Sequence, residues 1–207
     1  MDKLWLPEGS HYSLNISHHR GESSGSIGSG GRKLGLHTVE SPRRFVSQAV
    51  SILNAKRAAP HFVYGYDPGL RFPSVVQMLA LNEGGRALEH VFPQETNRAN
   101  VVQIEICGYA GHAYRWSDNY LKGLANLAAM IHHRHKFAVR VPVPFKLNAT
   151  RMSPQGWVDA TGIVGHEHCP GNIHWDPGAF DARKFVRFLE EALRHPHGGL
   201  KLKPTTK

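Results

Sequence analysis

Gly162-Ile-Val-Gly165-His166-Glu-His168-Cys169-Pro-Gly-Asn-Ile-His174-Trp-Asp176-Pro-Gly178 is the stretch from which this chain is best read. Its apolar, β-branched entry, Gly162 to Gly165, predicts a short buried strand. The strand delivers a histidine into a turn-rich loop, and the loop closes on an aspartate inside Asp-Pro-Gly. Neutral imidazoles and a carboxylate meeting at a bend suit a divalent metal. A catalytic zinc commonly takes three protein ligands and leaves the fourth position to water. His166 and Asp176 supply two of the three, with His168, Cys169 and His174 as alternative donors in the same loop.

The third ligand is expected at His37. Lys33-Leu-Gly-Leu-His37-Thr-Val39 reads as a short strand. Ser41-Pro42 follows it with the signature of a helix start, serine as N-cap and proline in the first turn. Phe45, Ala49 and Leu53 recur at four-residue spacing beside Val46 and Val50, which predicts a helix over 42–57. His37 thus lies at a strand end before a helix, a common place for functional side chains.

Asn100-Val-Val-Gln-Ile-Glu105-Ile-Cys-Gly108 gives the clearest strand. Val102, Ile104 and Ile106 alternate with Val101, Gln103, Glu105 and Cys107 on opposite faces. A glutamate in so apolar a strand belongs either to a solvated face or to a cleft.

The remaining segments read more simply. Strands are predicted over 60–66 and 74–80, with a turn at Asp67-Pro-Gly69. Ser117 to Lys136 is a long helix with Tyr120, Leu124, Leu127, Ala128 and Ile131 on one face. Residues 137–141 suggest a short strand, and 142–160, with three prolines, a long irregular loop. Asp181 caps a helix over 182–194, with Phe180 and Phe185 placed as a hydrophobic staple. Residues 1–33 are expected to be a flexible segment whose Gly/Ser tract, Glu22 to Gly31, is a mobile loop beside a site. A single domain over 34–195 and a basic tail over 196–207 complete the division. Strands alternating with helices give an α/β or α+β class, a sheet flanked by helices.

Composition narrows the function classes. A chain of 207 residues with 41% hydrophobic content can bury a core without staples. Two cysteines, Cys107 and Cys169, make no disulfide framework. No apolar run approaches the roughly 20 residues of a membrane span. The amino-terminal residues lack a secretory signal, so synthesis in the cytoplasm is expected. A formal charge of +9 and a pI near 9.8 favour polyanionic partners. The basic residues are dispersed, without interleaved aromatics or zinc-finger spacing, which argues against a nucleic-acid binder.

Taken together, these segments resemble the zinc-dependent N-acetylmuramoyl-L-alanine amidases of the type-2 family, which share a fold with the peptidoglycan recognition proteins. The amidase domains of phage endolysins are the nearest likeness. Leu36-His37-Thr38 resembles the family's first zinc histidine. Gln103 to Gly108 resembles the strand bearing its catalytic glutamate, and Gly165-His166 with Asp176-Pro-Gly178 its second histidine and carboxylate ligand. Ala59-Pro-His61-Phe-Val-Tyr64 looks like its second strand.

The resemblance implies an α/β fold, a central mixed β-sheet flanked by helices, with Zn²⁺ held by His37, His166 and Asp176. Glu105 is expected to act as general acid and base. Many members carry a lysine two residues before the carboxylate ligand; here that place is taken by His174, expected to act catalytically as a hydrogen-bond donor. His90 and Asn100 are expected on the substrate side, with Asn97 also lining the cleft, while His112, His132, His133 and His135 read as surface residues. The implied partner is bacterial peptidoglycan, with anionic wall polymers favoured by the charge and no nucleic acid. The chain is expected to be a monomer that acts on the wall after release from a host cytoplasm. A non-catalytic muropeptide-binding module of the same fold is the alternative; it is disfavoured because every ligand position and the glutamate are filled.

Overall fold

The structure is a computed structural model that describes residues 4–11, 13–41, 45–88 and 95–195. Its strands are β1 (Gly9–His11), β2 (Leu14–His18), β3 (Lys33–Thr38), β4 (Phe62–Gly65), β5 (Ser74–Gln77), β6 (Val101–Ile106) and β7 (Gly162–Gly165). Its helices are α1 (Val46–Ala55), α2 (Asp118–His135), α3 (Pro154–Asp159) and α4 (Ala182–Arg194). Among the described residues the strands form one seven-stranded sheet in the order β1-β2-β5-β4-β6-β3-β7. The pairs β1–β2 and β4–β5 are antiparallel, and β2–β5, β4–β6, β6–β3 and β3–β7 are parallel. The α/β class with a central mixed sheet flanked by helices is therefore as expected.

Strand alternation sorts the side chains into two layers. Leu34 and Leu36 of β3, Phe62 and Tyr64 of β4, and Val102, Ile104 and Ile106 of β6 face α2 and α4. The opposite face packs Val63 and Cys107 under α1, through Val46, Ala49, Val50 and Leu53. A third cluster gathers Val101, Val164, Cys169 and the buried Trp157 of α3. Helix α4 is held by its apolar side. Lys184 and Asp118 pair at 3.1 Å, but exposed pairs contribute at most about 1 kcal/mol. Burying Phe185, Phe188 and Leu189 contributes about 1.5–3 kcal/mol each. Asp181 accepts from the Lys184 amide, and Phe180 meets Phe185 at 5.4 Å, as a cap and staple require.

Several expectations are corrected. The described part of residues 4–33 belongs to the fold. Strand β2 pairs with β5, Leu6, Leu14 and Ile16 are buried, and the Leu6 amide donates to Gln77 Oε1 at 2.7 Å. The Gly/Ser tract is tied down at the far end of β3 from His37. Gly28 N–H donates to the Arg98 carbonyl and Gly31 N–H to that of Val158. Helix α1 begins at Val46 after an extended Phe45 with no side-chain cap, while residues 42–44 lie outside the described residues. No strand forms over 137–141: Arg140 N–H turns back to the Ala138 carbonyl, and the Arg140 carbonyl makes a single bond to β7, accepting from Ile163 N–H. The region expected as an irregular loop contains α3, which Ser153 caps by accepting from Gly156 N–H at 3.0 Å. His135 is buried rather than superficial.

His61, fully buried, fixes its tautomer by accepting from Gln103 N–H at Nδ1, so that Nε2 donates to the Glu83 carbonyl. Burial pushes its pKa down to about 4, and that of His135 likewise to about 4. Above the ordinary value of 6.5 both rings are neutral folded and unfolded. Between 6.5 and about 4 the unfolded chain takes up protons that the fold refuses, so stability declines as pH falls. Urea midpoints are expected to drop from pH 7.5 to pH 5, and the drop to be smaller in His61→Gln.

Candidate metal centre

Parallel pairing brings the C-terminal ends of β6, β3 and β7 to one edge of the sheet. His37 lies directly across from Glu105, and Leu36 across from Gly165, so His166 emerges beside His37. Alternation turns His37 and Glu105 away from the α2–α4 layer, because Leu36, Ile104 and Ile106 fill it. Gly35 leaves space beneath the imidazole, since a Cβ there would meet Val101 Cγ2 at 2.9 Å and His37 Nε2 at 3.7 Å.

The loop after β7 supplies the rest. Asn172 holds it in shape. Its side-chain amide donates to the carbonyls of His166 and Cys169, and its Oδ1 accepts from His174 N–H at 2.6 Å. Arg151 clamps the outside by donating to the carbonyls of Asn172 and His174. The Glu167 amide donates to the Asp176 carbonyl at 2.8 Å, which folds the aspartate back over the histidine. Neither Asn172 nor Arg151 is among the expected site residues. The Pro-Gly-Asn turn is the one sequence signal that points to Asn172.

Among the described residues, His37, His166 and Asp176 form the set whose donor atoms lie within 4.8 Å of one another. His166 Nδ1 is 3.2 Å from Asp176 Oδ1, and His37 Nδ1 is 4.0 Å from Asp176 Oδ2. His37 Nδ1 also lies 3.9 Å from Glu105 Oε1. Asp176 Oδ2 accepts from Thr38 N–H at 3.0 Å. All four side chains are buried. Both ring nitrogens of His37, Nε2 of His166 and Oε2 of Glu105 make no hydrogen bond. A buried unsatisfied polar group costs about 1–3 kcal/mol. One donor atom each from His37, His166 and Asp176 gathers in a space a cation fits, and two imidazoles with a carboxylate fit zinc.

The electrostatics agree. Burial pushes the His37 imidazole down to about 3, reinforced by His166, so it is neutral, the form that binds metal. Burial pushes the Glu105 carboxyl well above its ordinary range, and the carboxylates of Asp176 and Glu40 push the same way. Burial alone would raise Asp176, but its hydrogen bond with His166 and the adjacent imidazoles outweigh this and lower it.

His174 stacks on His166 with centroids 4.2 Å apart and planes at 16°, its Nδ1 is 3.8 Å from Asp176 Oδ1, and its side chain is 46% exposed. It therefore stands at the open side of the centre. The alternative donors turn elsewhere. His168 Nδ1 accepts from Gly165 N–H at 2.9 Å and its ring packs on Phe145, while Cys169 is in the Trp157 cluster. A cavity of about 720 Å³ opens where the chain leaves β6, lined by Tyr66, Cys107, Tyr109, Arg115, Trp116 and Tyr120.

Two expected substrate-side residues are not brought to this centre. Asn100 precedes β6 at the opposite end, roughly 16 Å along the strand from Glu105, and its amide donates to the Gly30 carbonyl. Asn97 is buried and bonds Leu88 and Gln103 instead of lining the cleft. His90 lies outside the described residues.

Replacing His37 or Asp176 with alanine is expected to abolish stoichiometric zinc uptake, measured by competition with a chromophoric chelator. His168→Gln and Cys169→Ala are expected to leave it intact. Loss of zinc in either of the latter would reassign the ligands.

No family model matches the sequence, and no curated protein matches it. Solved structures do. The Staphylococcus aureus hydrolase AmiA, determined with its ligand, aligns with a TM-score of 0.60 at 10% identity, over 90% of this chain and 88% of that one. An AmpD derivative aligns at 0.56 and 15% identity, over 91% and 98%. The Ph2119 endolysin of a Thermus scotoductus bacteriophage aligns at 0.53 and 13% identity, over 84% and 99%. This chain therefore shares its fold with the hydrolase AmiA, with AmpD and with the Ph2119 endolysin.

Proposed function

We propose that this chain is a zinc-dependent N-acetylmuramoyl-L-alanine amidase of the type-2 family, acting on peptidoglycan in the manner of an endolysin. The bond cut is the amide between the lactyl group of N-acetylmuramic acid and the L-alanine of the stem peptide. The observation that carries this reading is the buried set of His37, His166 and Asp176, with donor atoms within 4.8 Å of one another and Glu105 on the adjoining strand. The fold shared with a hydrolase and with an endolysin supports it.

His37, His166 and Asp176 would hold Zn²⁺, which when bound lowers the pKa of water toward roughly 7 and polarises a carbonyl. Glu105 takes the proton of the attacking water and returns it to the leaving amine. Its burial suits both halves, because a carboxyl with raised proton affinity accepts and holds a proton for transfer. As water adds to the carbonyl carbon, negative charge grows on the oxygen. His174, at the open side of the centre, donates a hydrogen bond to it. The cavity at the exit of β6 offers aromatic walls to the stem peptide. The net charge of +9 draws the protein to the anionic polymers of the wall. No helix among the described residues is long and apolar enough to cross a membrane.

The test is release of new L-alanine amino termini from purified peptidoglycan, with and without chelator. Glu105→Gln is expected to lower the rate about 10²–10⁴-fold while still binding zinc. His174→Ala is expected to lower kcat by about 10²–10³-fold. Zinc-loaded wild type that sediments with walls and releases nothing would make the protein a binding module instead.

A further inference from the structure

We infer that Glu40, an exposed residue outside the ligand set, is a positioning residue that fixes the metal-binding geometry of Asp176 by bridging the loops on either side of it. The inference rests on the metal centre proposed above and on a chain of bonds. Glu40 Oε1 accepts two hydrogen bonds, one from the Thr38 hydroxyl and one from Ala110 N–H at 2.6 Å. Thr38 N–H in turn donates to Asp176 Oδ2 at 3.0 Å. One carboxylate oxygen therefore ties the exit of β3, where His37 and Thr38 end, to the segment leaving β6 just beyond Glu105.

The same segment touches the far side of the aspartate loop. A Cβ at Gly178 would lie 3.1 Å from the Ala110 carbonyl oxygen, so the Asp176-Pro-Gly178 turn packs directly on the residue that Glu40 holds. The aspartate is thus set from two directions that both lead back to Glu40. Thr38 N–H engages Oδ2, which turns Oδ1 toward His166 Nδ1, 3.2 Å away.

The backbone points the same way. Glu40 has φ of +49°, in the left-handed region that a non-glycine residue adopts at a cost. An asparagine or glycine would meet that conformation more easily, yet neither has a side chain long enough to make the bridge. A strained backbone kept at a metal centre calls for something that holds it there. Here that is the pair of bonds to the Thr38 hydroxyl and the Ala110 amide.

The experiment measures zinc affinity of the full chain by chelator competition, the visible spectrum of the cobalt-substituted protein, and the melting temperature without metal, for wild type, Glu40→Ala, Glu40→Gln and Glu40→Gly. Loss of such outer partners typically weakens metal binding by about 10–100-fold. Glu40→Ala is expected in that range, with an altered cobalt spectrum. Glu40→Gln keeps an acceptor oxygen at the same reach and is expected to restore affinity and spectrum. Glu40→Gly relieves the backbone but not the missing bridge, so it is expected to bind metal as weakly as Glu40→Ala while melting no lower. Wild-type affinity and spectrum in Glu40→Ala would overturn the inference. Recovery in Glu40→Gly would overturn it too, assigning the effect to backbone strain. Failure of the wild type itself to bind zinc would instead defeat the metal centre on which the inference rests.

Discussion

The centre depends on the in-register parallel pairing of β3 with β6 on one side and β7 on the other. Side chains alternate with a period of two, so a slip of one residue in β3 would send His37 into the α2–α4 layer and bring Leu34 and Leu36 out of it. Leu34 and Leu36 are wholly buried, and each contributes about 1.5–3 kcal/mol where it stands. His37 is therefore aimed by the leucines beside it, and the energy that aims it comes from ordinary core packing. The same holds for Glu105, aimed by Ile104 and Ile106.

Strands alone cannot bring the third ligand in. Asp176 returns to the centre through a loop with no regular structure after its first turn, and buried hydrogen bonds take over the task that packing performs elsewhere. Asn172 satisfies three backbone groups at once, and Arg151 closes the loop from outside. Removal of water keeps His37 neutral and raises Glu105, while Asp176 is lowered against its own burial by the hydrogen bond with His166 and the imidazoles beside it. Without a cation that arrangement is costly; with one, the same burial strengthens every interaction the cation makes.

The residues whose chemistry and strand position coincide were legible in the sequence. His37 at a strand end, Glu105 in an apolar alternating strand, and His166 entering a turn-rich loop are all signalled locally, and resemblance to a known family joined them. What stayed hidden depends on contacts distant in sequence. Residues 14–18 look polar beside the Gly/Ser tract, yet they pair with β5, some 60 residues on. Asn100 sits in the right strand region but at its wrong end, a distinction that composition does not carry. Ser153-Pro154 has the same capping signature as Ser41-Pro42, and of the two it is the one that opens a helix among the described residues. Glu40 and Arg151 act through backbone groups of other loops, and no spacing rule announces such partners.

The way β2 and β1 close one side of the sheet bears on how this protein can be handled. Strand β5 is antiparallel to β4 on one side and depends on β2 for its other row of backbone partners. A shortened chain starting at Lys33 would keep every residue of the metal centre and lose that cover. It would present a bare strand flanked by the hollow left by Leu6, Leu14 and Ile16, a template on which identical chains add to one another. The amino-terminal strands thus serve as a guard against self-association, and fusions or trimmed versions of the protein should begin upstream of them.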